Sequence, residues 1–343
     1  MNLRRTTVAL LVTGLVGASA GTAAATPHGA AHGHGIEAGD HAFVDVTTAT
    51  LWVEPGLDRP VDAPSLTNPV DLDQWNRNMA DTETRRWLTG KLETQAVLGS
   101  GVAVTEVDGD WAHVVVEGQD TPRDDRGYPG WMPVDQLVEN DKFDALVDTR
   151  PWAQVTDDKT WLTGTPAGAQ PLSEISFNTR LPVLAETPQA VRVALPDGSR
   201  AWLEQDAVDV HDQGEQPAAP TGEDLVATGK QFLGLRYLWA GVSAYGFDCS
   251  GFTYSVHRAH GVSIPRDSSA QAEYGQDVAV EDLQPGDLLF FAQPGGVGRV
   301  HHVGMYIGEG KMIHAPNASE SVSIVDWQEW DTDDEFSGAK RMT

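Results

Sequence analysis

Cysteine and positive charge are both scarce in this sequence. Cys249 is the single cysteine among 343 residues, which excludes an internal disulfide and any site built from several thiolates. Only 23 residues are Lys or Arg against 50 that are Asp or Glu, and the formal net charge is −27. Because phosphate binding needs clustered cations, this balance argues against nucleic acid as a partner. The acidity fits an extracellular protein, including one adapted to salt, and indicates nothing about catalysis.

Long hydrophobic runs are also missing beyond the N-terminus. Residues 1–25 combine two arginines, an uncharged and mostly apolar run at 8–18, and small side chains at 23–25 before Thr26. This order is typical of a signal peptide and predicts export. An uncleaved membrane anchor is the alternative, but Gly, Ser and Thr interrupt the run. We expect a monomer without stable membrane insertion after cleavage.

The remaining length suggests two or three domains. Three histidines among Gly and Ala at 26–39 predict a flexible segment, with a metal-binding tail as the alternative. Short β-like runs between turn residues predict two small all-β domains, at 40–145 and 150–212. A polar linker that contains proline, at 213–223, then leads to a third domain at 224–343.

The two β segments end alike. Gly127 is followed four positions later by Trp131, and Gly198 by Trp202, and in each case an apolar residue and an acidic turn come next. This echo predicts two copies of one fold, and both stretches resemble bacterial SH3-like domains. The first copy also carries a polar, helix-compatible insertion at 72–86.

The cysteine is predicted to lie at a helix N-terminus. Phe252, Val256 and Ala259 recur at helical spacing after it, and Asp248 is the natural N-cap. At such a position the free N–H groups and the helix dipole lower a thiol pKa and can bind an oxyanion. An inert buried thiol is the alternative for Cys249.

Two histidines supply a base and its partner. Residues 302–307 and 311–315 read as a hairpin centred near Gly308, which places His302 and His314 opposite each other, with Cβ atoms roughly 5 Å apart. This geometry predicts Cys249 as nucleophile, His302 as base, and His314 as the group that fixes the tautomer of His302. A lone histidine is more often structural, but the combination with a helix-start cysteine favours catalysis.

Four ordered motifs in the last third of the chain resemble the NlpC/P60 family of papain-like cysteine peptidases. These motifs are DCSGF at 248–252, GVSIPR at 261–266, LQPGDL at 283–288 and HVGMYIG at 302–308.

The resemblance implies an α+β architecture, in which a papain-like NlpC-type domain follows two small all-β SH3-like barrels. It also implies hydrolysis of the γ-D-glutamyl to L-diamino acid bond in peptidoglycan stem peptides, without a metal or other cofactor. The triad that it implies is Cys249, His302 and His314. A wall substrate is consistent with an exported protein that is extracellular or associated with the cell wall.

A narrower resemblance is to the SH3-containing branch that cleaves after a free N-terminal L-Ala-γ-D-Glu. In that branch, one acidic residue and one tyrosine of the first SH3-like domain, with an aspartate of the peptidase domain, receive the α-ammonium. The matching positions are Glu93, Tyr128 and Asp267. The other substrate-binding positions implied are Ser250 and Ser268 for hydrogen bonds, Trp239 as an apolar wall, and Asp248 beside the nucleophile.

Each of these positions also has an ordinary structural explanation. Glu93 fits a solvated strand position, Tyr128 a turn aromatic, Trp239 a core residue, and Asp267 with Ser268 a helix cap. Three functions stay open: the free-amine peptidase, a general D,L-endopeptidase or thiol amidase of intact wall, and a non-catalytic wall-binding protein. The intact triad argues against the last. Whether the diamino acid is lysine or diaminopimelate stays open as well.

Overall fold

The computed structural model describes residues 35–215 and 218–343. The predicted signal peptide, most of the predicted flexible segment at 26–39 and two linker residues lie outside the described residues. The described residues form one compact unit, so the three predicted domains pack together. None of the helices in the described ranges has the length and apolar character of a membrane span.

The first domain is an antiparallel seven-stranded sheet with the strand order β3-β2-β6-β5-β4-β1-β7. The predicted insertion at 72–86 is confirmed as two short helices between β2 and β3. The elements are β1 (His41–Val44), β2 (Thr48–Trp52), α1 (Leu72–Asn78), α2 (Thr82–Arg86), β3 (Leu92–Val97), β4 (Gly101–Asp108), β5 (Trp111–Glu117), β6 (Gly127–Pro133) and β7 (Leu137–Val138).

The second domain repeats this arrangement with the order β10-β9-β13-β12-β11-β8-β14. Each strand of the second domain occupies the same position as the first-domain strand whose number is lower by seven, so that β8 corresponds to β1 and β14 to β7. The prediction of two copies of one fold is therefore confirmed. A connecting helix, α3, begins at the Asn140 N-cap, and its Phe143 packs into the second core. The elements are α3 (Asp141–Thr149), β8 (Trp152–Val155), β9 (Lys159–Thr163), β10 (Pro171–Ser176), β11 (Arg180–Glu186), β12 (Ala190–Ala194), β13 (Arg200–Glu204) and β14 (Val208–His211).

The third domain packs helices against a six-stranded antiparallel sheet of order β17-β22-β18-β19-β20-β21, beside a small β15-β16 ladder. This mixture confirms the predicted α+β class. The elements are α4 (Gly222–Lys230), β15 (Val242–Ser243), β16 (Gly246–Phe247), α5 (Cys249–Ala259), α6 (Ser268–Gln271), β17 (Gln276–Val278), β18 (Leu288–Gln293), β19 (Arg299–Gly308), β20 (Lys311–His314), β21 (Ser323–Asp326), α7 (Trp327–Trp330) and β22 (Phe336–Arg341).

Helix α5 is held against the sheet by its apolar face. Phe252 and Val256, one helical turn apart, are fully buried in the same core as Val303 and Met305 of β19. Burial of each such side chain contributes about 1.5–3 kcal/mol. The packing brings the N-terminus of α5, where Cys249 lies, against the middle of β19.

Both barrels are hydrogen-bonded to the third domain. In the first barrel, Gln95 accepts from the backbone N–H of Val242 at 3.2 Å through its side-chain oxygen. In the second, the Asn178 side chain donates to the carbonyl of Ser255 at 2.8 Å. The α1–α2 insertion adds an apolar contact, because Trp75 shares a core cluster with Leu238. These contacts fix the first barrel beside the start of α5.

Candidate active site

The start of α5 is built around the Asp248 carboxylate. Its Oδ1 accepts from Gly251 N at 2.6 Å, which is the predicted N-cap bond, and its Oδ2 accepts from Ala240 N at 2.9 Å. The fully buried guanidinium of Arg266 donates to both oxygens, at 3.1 and 2.9 Å. Protein groups therefore engage both oxygens of Asp248, and its predicted contact with substrate stays a prediction.

The Cys249 sulfur lies between this helix start and β19. The backbone N–H groups of Ser250 and Val303 are close enough to favour its thiolate form. Val303 directly follows His302, and His302 and Cys249 border the same cavity. Only 8% of Cys249 is exposed.

Burial raises the pKa of the Cys249 thiol to about 12, with a further contribution from the Asp248 charge. The two N–H donors act in the opposite direction and are outweighed. The expectation that the helix start lowers this pKa is therefore wrong for the free enzyme. Desolvation penalises a thiolate more than the helix terminus stabilises it.

The two histidines contact each other, but not as the sequence pattern predicts. Met305 pairs with Ile313, and a bulge precedes the Gly308 to Lys311 pair, so the turn is one residue further along than expected. His314 therefore faces Gly304, two residues from His302, and the histidines are diagonal neighbours. The Nε2 atom of His302 lies 3.0 Å from Nδ1 of His314.

Burial also sets the charge state of this pair. It lowers the pKa of His302 well below its usual value, with smaller contributions from His314 and His301. It lowers the pKa of His314 to about 4. The free site at neutral pH therefore contains an uncharged thiol and two uncharged imidazoles.

Two aromatic residues that the sequence analysis missed complete this part of the site. Trp330 of α7 packs on both histidines, with ring centroids 5.0 Å from each. Tyr237 is buried near Cys249, and burial together with the Cys249 charge raises its pKa. No local pattern marks either residue, because α7 and the segment before α5 meet the predicted triad only through the tertiary fold.

A cavity of about 480 Å³ opens beside Cys249. Its wall includes Cys249, His302, Trp239, Tyr237 and Trp330. Trp239, for which a role as an apolar wall stays a prediction, borders the cavity. Its indole N–H donates to the Leu92 carbonyl of the first barrel at 3.0 Å.

The groups predicted to receive an ammonium lie where the first barrel meets the catalytic domain. The Tyr128 hydroxyl donates to Oδ2 of Asp267 at 2.8 Å, across 139 residues of sequence. Asp267 is the N-cap residue of α6, yet its side chain makes no capping bond. Burial raises the pKa of Asp267, and burial followed by the Asp267 charge raises that of Tyr128. Glu93 pairs instead with Arg123.

The two predicted serines differ in their surroundings. Ser250 is buried and accepts a 3.0 Å hydrogen bond from Nη1 of Arg266, while Ser268 is half-buried at the start of α6. Among the described residues, neither the groups predicted to receive an ammonium nor Ser268 borders the cavity beside Cys249. Arg266 links the two regions, since it contacts Asp248 and directly precedes Asp267.

This fold and site define a cysteine peptidase of the papain-like type with two N-terminal SH3-like barrels. Residues 234–341 match the model of the NlpC/P60 family, and residues 155–211 match that of the YKFC SH3b2 domain. The chain belongs to the NlpC/P60 family, and the predicted enzyme class is confirmed.

Similarity to two Bacillus proteins extends along almost the whole chain. A Bacillus cereus protein named γ-D-glutamyl-L-lysine dipeptidyl-peptidase is 49% identical over 303 residues, which cover 88% of this chain and 90% of the relative. A Bacillus subtilis protein of the same name is 37% identical over 85% of this chain and 96% of its own. The crystal structure of an NlpC/P60 family protein from Bacillus cereus superposes with a TM-score of 0.84 at 46% identity, covering 88% of this chain and 99% of that chain.

Proposed function

We propose that the protein is an exported endopeptidase that hydrolyses the γ-D-glutamyl to L-diamino acid bond of muropeptides with a free N-terminal L-Ala. The observation that supports the preference for a free amine is the Tyr128–Asp267 hydrogen bond. It joins the first barrel to the catalytic domain at a partly buried carboxylate. The names of the two Bacillus relatives support the choice of bond and favour lysine as the diamino acid.

The proposed chemistry begins with an uncharged thiol and imidazole. His302 accepts the proton of Cys249 as the sulfur attacks the γ-carbonyl carbon, so charge develops only when a substrate covers the site. His314 holds the His302 ring through the Nε2–Nδ1 contact. Tyr237, whose pKa is raised, keeps its proton and can donate to the oxyanion. His302 then protonates the leaving amine, and water hydrolyses the γ-D-glutamyl thioester.

The proposed specificity follows from desolvation. An α-ammonium leaving water for the barrel interface needs carboxylate partners, and Glu93 and Asp267 with the Tyr128 hydroxyl supply them. Acetylation of the amine removes the charge that these carboxylates would bind and adds bulk to the site. We expect a loss of several hundredfold in kcat/KM, equivalent to a few kcal/mol.

The experiment compares L-Ala-γ-D-Glu-L-Lys with its N-acetylated form, and the diaminopimelate peptide with its own, using mass spectrometry of the products. Glu93→Ala should weaken cleavage of the free-amine peptide and narrow its advantage over the acetylated one. Glu106→Ala, at an exposed position on β4 of the same barrel, serves as the matched control.

If the wild type cleaves acetylated or glycan-linked stems equally well and Glu93→Ala has no effect, the general D,L-endopeptidase or thiol amidase replaces this proposal. Export is tested separately. We expect the protein in the culture medium or wall fraction with Thr26 as its N-terminal residue. Full-length protein retained in the membrane would contradict the signal peptide.

A further inference from the structure

The loop between β5 and β6 places a guanidinium against the ammonium-binding groups. Nη2 of Arg123 donates to Oε1 of Glu93 at 2.9 Å, and Nη1 donates to Oε2 of the same carboxylate. The guanidinium carbon lies 5.2 Å from the centroid of the Tyr128 ring, within the range of a cation–π contact. Arg123 therefore contacts two of the three residues to which the proposed function assigns the substrate ammonium.

Arg123 makes the kinds of contact with Glu93 and Tyr128 that the substrate ammonium would need. A guanidinium and an ammonium carry the same charge and donate to the same carboxylate oxygens. The Glu93 side chain is only 15% exposed, and Arg123 supplies its carboxylate with a cation when no substrate is bound. An ammonium that binds Glu93 competes with Arg123 for the same acceptor atoms.

Arg123 is far more exposed to solvent than Arg266, the other arginine of this interface. Arg266 is 1% exposed and donates to Asp248, Ser250 and Thr94, so it is part of the framework. The Arg123 side chain is 43% exposed. A rotamer change suffices to move its guanidinium into solvent, while the loop backbone stays in place.

We propose that Arg123 is an internal cation that occupies part of the α-ammonium site in the free enzyme and moves into solvent when a free-amine peptide binds. This inference rests on the proposed function. Arg123 keeps the partly buried Glu93 carboxylate paired between turnovers. It also weakens the binding of every competing cation, so only a ligand with additional contacts displaces it.

The test measures kcat and KM for L-Ala-γ-D-Glu-L-Lys in full-length Arg123→Ala, Arg123→Lys and Arg126→Ala. We expect Arg123→Ala to lower KM about two- to five-fold with kcat unchanged, which corresponds to removal of one partly exposed ion pair. Arg123→Lys retains a cation and should keep a KM close to that of the wild type. Arg126 pairs with Asp124 in the same loop and is the matched control, for which no change is expected.

L-Alaninamide gives a second measurement, because it carries the α-ammonium without the scissile bond. Its inhibition constant should fall in Arg123→Ala by the same factor as KM, whereas a purely structural role of Arg123 would change kcat and the melting temperature instead. An unchanged or higher KM in Arg123→Ala, with the wild type still preferring the free amine, overturns the role of Arg123 alone. A wild type that is indifferent to acetylation overturns the proposed ammonium site and this inference together.

Discussion

Nε2 of the His302 imidazole lies 3.0 Å from Nδ1 of the His314 imidazole, and this contact passes over a backbone position that carries no side chain. That position is Gly304, which faces His314. A Cβ atom added there would lie 3.3 Å from the Cβ of His314 and 2.7 Å from the Met312 sulfur. The His302 ring reaches diagonally over this gap to His314 through Nε2, so its Nδ1 atom is not used in this contact.

The contact predicts an order of severity for the two histidines. His302→Ala should lower kcat by several orders of magnitude, because no other group can transfer the proton. His314→Ala should retain more activity, since His314 orients the ring of His302 and does not transfer the proton itself. Steady-state kinetics with L-Ala-γ-D-Glu-L-Lys measure both. The reverse order would mean that the roles of the two residues are exchanged.

Gly304→Ala should reduce kcat by about 10- to 100-fold, the usual effect of displacing a catalytic group by up to 1 Å. The added methyl group presses on the Met312 sulfur and on the Cβ of His314, and so should shift His314 and weaken its support of the His302 ring. The double variant with His314→Ala should lose little beyond His314→Ala alone, because both changes act through one contact. Full additivity of the two losses would contradict this explanation.

The raised pKa of Cys249 predicts the pH dependence of its alkylation. Because burial favours the protonated thiol below about pH 12, inactivation of the free enzyme by iodoacetamide should accelerate steadily from pH 6 to pH 10. One label per chain is expected, since Cys249 is the sole cysteine, and inactive Cys249→Ser should take up none. A rate that is already constant below pH 7 would instead indicate a thiolate–imidazolium pair, as the helix-start argument expects.

The buried His257 predicts a loss of stability in acid. Burial lowers its pKa from 6.5 to about 4, so the unfolded state binds more protons at pH values between these two. The neutral His257 side chain makes its full contribution to the free energy of unfolding above pH 6.5. This contribution declines as the pH falls towards 4, by about 2 kcal/mol between pH 7.5 and 5. His302 and His314, whose pKa values are also lowered, act in the same direction.

Urea unfolding at pH 7.5 and pH 5 measures this effect. His257→Gln should reduce the difference between the two free energies of unfolding by about 2 kcal/mol, whatever the variant's stability at pH 7.5. Exposed His41, replaced in the same way, is the control. An undiminished difference in His257→Gln would contradict a neutral buried imidazole at this position.

Local sequence patterns determined much of this protein. Helix α5 is readable because an N-cap aspartate and apolar residues at helical spacing act within a few residues of one another. The repeated Gly-to-Trp strand endings predicted two copies of one barrel, and the identical strand orders confirm it. The motifs around Cys249, His302 and His314 led to the correct enzyme family.

Tertiary packing alone decided the state and the surroundings of the site. The β19–β20 register depends on a bulge. A pattern with a period of two therefore placed the turn one residue too early and put His302, rather than Gly304, opposite His314. Desolvation of Cys249 reversed the pKa shift that the helix terminus predicts, because burial depends on elements far away in sequence. The Tyr128–Asp267 bond and the Arg123–Glu93 pair likewise join residues that only the docking and folding of the first barrel bring together.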